Sequence, residues 1–167
     1  MSMRRLGTAA AAFALGACMF AGRADASEKI TIMVGGIDKI IYLPAVLAQR
    51  YFEQQGLDVE IVTESAGVDA EDEMIAGGVQ GVVGFYDHTI DLQAKGIEVE
   101  SLVQFSDVPG EAMLVSSKAA ATIRSPADFK GQSLGVTSLG SSTDFLTEYL
   151  AAQAGLDHDD YRLQAVD

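Results

Sequence analysis

Residues 30–56, with the sequence ITIMVGGIDKIIYLPAVLAQRYFEQQG, contain the pattern on which the fold class depends. Residues 30–34 form an apolar, mostly β-branched run that is typical of a buried strand, and Gly35-Gly36 ends it. Residues 43–55 have helical spacing of their apolar side chains, with a proline in the first turn and Gly56 placed to end the helix. The stretch therefore predicts a strand, a loop and a helix in succession.

The same alternation continues along the chain on the C-terminal side. Alternating strands and helices are the mark of a parallel-rich α/β sheet flanked by helices. Because the last predicted strand has no successor, the sequence is interpreted as a fragment that is truncated at its C-terminus. The further strands are predicted at residues 59–62, 79–85, 99–105, 112–115, 134–136 and 161–166, and the helical segments at residues 68–76, 89–95, 125–131 and 140–154.

The N-terminal end has a different character. Two arginines, Arg4 and Arg5, precede an apolar stretch at residues 6–20, and Ala24-Asp25-Ala26 offers a cleavage site. This pattern predicts a secretory signal peptide at residues 1–26 and a periplasmic or extracytoplasmic protein. A membrane anchor is the alternative, but the stretch is short for one. The setting of Cys18 also resembles a lipobox, so lipidation at that residue is a second alternative.

Composition excludes several functions. The 167 residues carry a formal net charge of −13, which repels a phosphate backbone and argues against nucleic acid as a partner. Cys18 is the one cysteine, so a mature chain that begins after residue 26 has no thiolate metal site and no disulfide. The sequence has no Gly-x-Ser-x-Gly nucleophile motif and no phosphate-binding Gly-x-x-x-x-Gly-Lys loop. We therefore expect no catalytic residues, no metal and no cofactor.

Ligands of open parallel sheets bind beyond the carboxyl ends of the strands, which directs attention to four loops at residues 35–39, 64–67, 85–88 and 138–143. The last loop places three hydroxyl groups and backbone amides at the start of a helix, where an anion or a carbonyl group can bind. The alternative is that Ser141 or Ser142 only caps the helix, with Asp144 completing a capping box.

Two other polar features have an ordinary interpretation beside a functional one. His88 follows an apolar strand, and contact with a ligand and packing within the loop are equally plausible roles for it. Four acids, Asp69, Glu71, Asp72 and Glu73, crowd the start of the second helix. We expect them to face water and to complement the helix dipole.

Several segments in combination resemble a known family. The segments 42–59, 76–84, 125–136 and 140–157 are similar to the periplasmic substrate-binding proteins of the nitrate/sulfonate/taurine and thiamine-precursor import class. One departure is Gly81, which stands where the family usually has an acid. The resemblance implies a type II periplasmic binding fold with two lobes, of which residues 27–111 would form the first. Residues 112–167 would form a hinge crossing and the incomplete start of the second lobe.

The resemblance also implies the function and the site. It suggests a monomer that captures a small organic or oxyanion solute, such as a sulfonate, nitrate, taurine or pyrimidine, and delivers it to an ABC permease with its ATPase. A sensor domain, or an enzyme of thiamine-pyrimidine synthesis, are the alternatives. The residues expected at the walls of the pocket are Asp38, Tyr42, Tyr86, His88, Gly140, Ser141, Ser142 and Thr143.

Overall fold

The structure, a computed structural model, describes residues 28–166. The predicted signal peptide and Cys18 lie outside these residues. Short 3-10 helices precede α1, β4 and β5, at Ile40–Tyr42, Pro126–Phe129 and His158–Asp160. The longer elements, in chain order, are β1 (Ile30–Gly35), α1 (Leu43–Gln54), β2 (Val59–Glu64), α2 (Gly67–Ile75), β3 (Gly81–Val83), α3 (Tyr86–Ala94), β4 (Ser133–Val136), α4 (Ser142–Gln153) and β5 (Arg162–Ala165).

The first sheet has the strand order β2-β1-β3, and both strand pairs are parallel. Ile32 in the central strand lies opposite Ile61 on one side and Gly81 on the other. Gln80 extends the β1–β3 ladder by one residue, since its amide donates to the Thr31 carbonyl and its side-chain oxygen accepts from the Thr31 amide at 2.8 Å. The α/β class with a parallel sheet, predicted from the sequence, is confirmed.

Helices cover both faces of this sheet. Met33 packs with Ala70 of α2, whereas its neighbour Val34 packs with Tyr42 and Ala45 on the side of α1. Successive residues of a strand point to opposite faces, so a strand that is covered on both sides is apolar along its whole length. This is the physical reason why Ile32, Met33 and Val34 are apolar in succession in β1.

The second sheet contains β4 and β5, again parallel, with Leu134 opposite Leu163. Its core is separate and centres on Phe129, Ala151 of α4 and Tyr161. The predicted turn at residues 125–131 is confirmed as a short 3-10 helix with a capping box, in which the Ser125 amide donates to the Asp128 carboxylate at 2.9 Å.

Two predicted strands are wrong. Residues 99–105 and 112–115 have no strand structure, and residues 97–115 contain neither helix nor strand. Leu102 is 82% exposed and Leu114 is 90% exposed, so the apolar runs lack the burial on which the prediction relied. A strand also needs a neighbouring backbone to pair with, and none of the described strands pairs with either segment. Within residues 28–166, no helix is long and apolar enough to cross a membrane.

Candidate functional site

A small cavity of about 80 Å³ lies where the two sheets approach each other. The cavity is lined by residues that follow the carboxyl ends of β1, β2, β3 and β4. This is the position that the rule for open α/β sheets predicts for a ligand site. Glu111, from the irregular segment between the sheets, adds a carboxylate. The lining residues are Lys39, Ile41, Tyr42, Gly67, Phe85, His88, Glu111, Thr137, Ser141, Ser142 and Thr143.

The polar groups of the cavity separate into two walls. The charged wall consists of Lys39, His88 and Glu111, together with Glu71 and Asp87, which contact lining residues from outside the cavity. The hydroxyl wall consists of Thr137, Ser141, Ser142 and Thr143 at the start of α4.

His88 is the centre of the charged wall. It is 8% exposed, and its Nδ1 lies 2.6 Å from Oε2 of Glu71, which is 5% exposed. Its Nε2 lies 3.2 Å from the Ser142 hydroxyl, which donates to Oδ1 of Asp87 at 2.9 Å. The sequence-based expectation that Glu71 faces water is therefore wrong, because α2 turns this one acid of its cluster toward α3.

Counting protons along this chain of contacts assigns the roles of His88. Ser142 has one hydroxyl proton and donates it to Asp87, so His88 Nε2 must donate to the Ser142 oxygen. The proton between Nδ1 and Glu71 then belongs to one or the other, and the pair has no net charge in either case. Burial raises the pKa of Glu71, while the adjacent His88 acts in the opposite direction.

Two glycines make room for this arrangement. A Cβ on Gly35, at the end of β1, would lie 2.3 Å from the amide nitrogen of Gly67, so the strand can touch the start of α2 only without a side chain. A Cβ on Gly67 would lie 2.9 Å from Nε2 of His88. The imidazole therefore packs directly against the backbone of the first residue of α2.

Three of the four hydroxyl groups in the hydroxyl wall form a closed network. The hydroxyl of Thr143 lies 2.7 Å from that of Thr137 and 2.8 Å from that of Ser141, and a 3.2 Å contact between Thr137 and Ser141 completes a triangle. The Thr137 amide donates to Thr143 Oγ1 at 2.9 Å, which holds the triangle to the end of β4. Ser141 makes no side-chain cap to α4, so the interpretation of this residue as a simple helix cap is not supported.

The remaining charges are constrained as well. Lys39 Nζ donates to the carbonyls of Gly35 at 2.7 Å and Ser65 at 3.0 Å. Burial and the nearby Asp87 raise the pKa of Glu111, while Lys39 opposes this shift. Tyr42 is 4% exposed, and burial raises the pKa of its phenol group. Among residues 28–166, no group of three or more His, Cys, Asp or Glu side chains could hold a metal ion.

The structure brings together five of the eight residues that the sequence indicated. These five line the cavity: Tyr42, His88, Ser141, Ser142 and Thr143. Gly140 is adjacent to it, with φ +80° and its amide donating to Asp144 Oδ2 at 2.7 Å. Asp38 lies exposed in the turn after β1 and does not line the cavity.

Tyr86 faces a different depression. It is 62% exposed and lines an open groove of about 580 Å³ between α3 and residues 99–104. Tyr86 and His88 were expected in one loop, but residues 86–88 form the first turn of α3 and point these side chains to different surfaces. We place the candidate site in the smaller cavity, because that is where buried polar groups from several elements converge.

Sequence reasoning missed Glu71, Glu111, Lys39 and Thr137. Lys39 lies within one of the four loops that were considered, and Thr137 immediately precedes another. Both could have been predicted from their positions just after a strand. Glu71 lies four residues after Gly67 on α2, and both residues touch His88. That spacing becomes informative only once α2 and α3 are known to be neighbours.

Comparison with known proteins agrees with this geometry. Parallel strands covered by helices, with a polar cavity beyond their carboxyl ends, fit a protein of the periplasmic-binding type. A solved structure of a protein from Bordetella bronchiseptica RB50 is 35% identical in sequence and superposes with a TM-score of 0.66. The match covers 83% of this chain and 44% of that one, so the chain spans less than half the length of that structure.

The family itself follows from a second comparison. Residues 42–167 match the NMT1/THI5 like family, and the chain belongs to that family. Its members are mostly solute-binding proteins, typically periplasmic, that work with ABC permeases. A search of the curated proteins found no match.

Proposed function

We propose that this chain is the ligand-capturing part of an extracytoplasmic solute-binding protein that delivers a small solute to an ABC permease with its ATPase. The observation that carries the proposal is the cavity between the two sheets. Its lining comes from the ends of β1, β2, β3 and β4, and it combines buried polar groups with the apolar surfaces of Ile41 and Phe85. A few oriented polar groups in an otherwise apolar cleft are typical of a small-molecule site.

The division into lobes belongs to the same proposal. Residues 27–111 would form the first lobe, and residues 112–167 a hinge crossing and the start of the second. The two sheets have separate cores, which supports two bodies that move as units. Ser142, on α4, bonds to Asp87 and to His88 on α3 and so connects the two proposed lobes across the cavity. A solute that closes the lobes would stabilise these contacts.

Binding is tested by isothermal titration and thermal unfolding of the full chain with nitrate, small sulfonates, taurine and pyrimidines. A solute at 100 times its Kd should raise the free energy of unfolding by about 2.7 kcal/mol. Thr143→Ala, in the cavity, should weaken binding. Thr89→Ala is the matched control because Thr89 lines the open groove. Loss of binding in the control alone would place the site in the groove and contradict the proposal.

Two further measurements separate the proposal from its alternatives. A solute recovered unchanged after incubation, identified by mass spectrometry, is the result expected of a binding protein, whereas conversion would favour the enzyme of thiamine-pyrimidine synthesis. Solute uptake by cells that lack the protein should fall if it serves an importer. Unchanged uptake together with a lost transcriptional response would favour the sensor.

A further inference from the structure

The helix starts at the cavity are already neutralised. Helices α2, α3 and α4 each place their first turn there, and the N-terminus of a helix carries about half a positive charge. Each of the three, however, has its own acid in that turn, namely Asp69, Asp87 and Asp144. Three full negative charges therefore oppose three half-charges. The usual attraction of helix starts for an anion is offset at this site.

The cationic side chains are also engaged. Two of the three ammonium protons of Lys39 are donated to backbone carbonyls. His88 uses one ring nitrogen on Glu71 and the other on Ser142, and the His88–Glu71 pair has no net charge. His88 therefore has no free donor of the kind that usually holds an oxyanion, and Lys39 keeps one of its three protons.

The unsatisfied groups are acceptors. Asp87 Oδ2 is buried and has no hydrogen-bond partner among the described residues. Glu111 lines the cavity, and burial together with the nearby Asp87 raises the pKa of its carboxyl group. A cation that enters the cavity can therefore pair with the Glu111 carboxylate, and the negative charge of the nearby Asp87 adds to the attraction.

Resting on the proposed solute-binding function, we propose that the solute presents a positively charged nitrogen group, an amidinium or ammonium, to the carboxylate of Glu111, and that oxyanions are rejected. The cavity of about 80 Å³ is well below the ~300 Å³ of a pocket for a whole drug-sized ligand, so it receives this head group and leaves the rest of the solute outside. The net charge of −13 favours the approach of a cation over that of an anion.

Three probes of nearly the same shape test the charge requirement directly. Benzamidinium, benzamide and benzoate present a cation, a neutral amide and an anion on the same ring. Isothermal titration of each against the full chain should show benzamidinium binding at least about tenfold more tightly than benzamide, a difference of about 1.4 kcal/mol, and no binding of benzoate. Equal or tighter binding of benzamide or benzoate would overturn the inference.

Two variants test whether Glu111 is the residue that binds the cation. Glu111→Gln should weaken benzamidinium binding about tenfold, whereas Glu53→Gln, which removes the same charge from an exposed position on α1, should leave it unchanged. Thermal unfolding of both variants checks that they fold. Equal losses in the two variants would show a general effect of net charge and would contradict a head-group site at Glu111.

The inference and the proposed function fail in different ways. If benzamidinium does not bind but nitrate, a sulfonate or an uncharged pyrimidine binds in the cavity, the charge inference is wrong and the solute-binding function stands. If none of these molecules binds, both are wrong.

Discussion

Both walls of the cavity contain buried polar groups, but the partners of these groups come from different parts of the chain. In the charged wall, Glu71 and His88 form a buried ion-pair contact that depends on α2 and α3 being held together. In the hydroxyl wall, Thr137, Ser141 and Thr143 satisfy one another within seven residues of the chain. The charged wall therefore depends on tertiary contacts, whereas the hydroxyl network depends on local ones. We expect mutations in the charged wall to lower the free energy of unfolding more than mutations in the hydroxyl network.

The largest effect is expected from Glu71→Ala. It leaves His88 buried without its partner, and removing one member of a buried pair typically costs about 3–5 kcal/mol. The measurement is urea unfolding at pH 7, with Asp72→Ala as the control, since Asp72 is the next residue on α2 and is exposed. Similar losses in the two variants would mean that the ion-pair contact adds nothing to the charged wall.

Gly67→Ala tests the packing of the same wall without removing a charge. The added methyl group would meet His88 Nε2 at 2.9 Å and must displace the imidazole, a kind of overpacking that costs about 1–3 kcal/mol. Gly81→Ala is the matched control, because its Cβ meets only Ile32 Cγ1, at 3.9 Å. A neutral Gly67→Ala variant would show that His88 has room to move.

The contrast between local and tertiary structure also explains what the sequence can predict. Strand β1 and helix α1 were predicted nearly to the residue, since a β-branched run, a proline in the first turn and a glycine stop act over a few neighbouring residues. The hydroxyl loop was indicated for the same reason. The acids at residues 69–73 look alike in sequence, and only the packing of α2 against His88 makes Glu71 different.

The wrong strands have the same cause. Residues 99–105 and 112–115 have the composition of strands, but a strand is defined by the backbone beside it, which composition does not specify. The positions of His88 and Tyr86 were likewise mispredicted, because they depend on where helix α3 begins. A shift of the predicted helix start from residue 89 to residue 86 changes which side chains face the cavity.

Ser142→Ala tests the residue of the hydroxyl wall that bonds to the charged wall. Its loss removes the donor to Asp87 Oδ1 and the acceptor for His88 Nε2, and we expect a destabilisation of about 1–2 kcal/mol, measured by urea unfolding. Ser133→Ala, at an exposed position on β4, is the control. Solute affinity should fall along with stability, because this hydroxyl connects α4 to α3. A stable variant with unchanged affinity would show that the two walls are independent.

The smallest expected effect is a dependence on pH that arises from Glu111. Its pKa in the folded protein is raised above its usual value of 4.5 by burial and by Asp87, so the folded state holds this proton to a higher pH than the unfolded chain does. The contribution of Glu111 to stability is therefore fully present below pH 4.5 and is lost as the pH rises through the folded-state pKa.

Glu111→Gln removes that loss, since glutamine is uncharged at every pH. The variant should gain stability relative to the original chain as the pH rises from 4 to 7, and comparing the two proteins by urea unfolding at each pH cancels the contributions of all other groups. Addition of benzamidinium should reverse the order at pH 7, because an ionised Glu111 then has a cation to pair with. A difference that is the same at both pH values would mean that Glu111 titrates alike in the folded and unfolded states, and its carboxylate would then not belong to the charged wall.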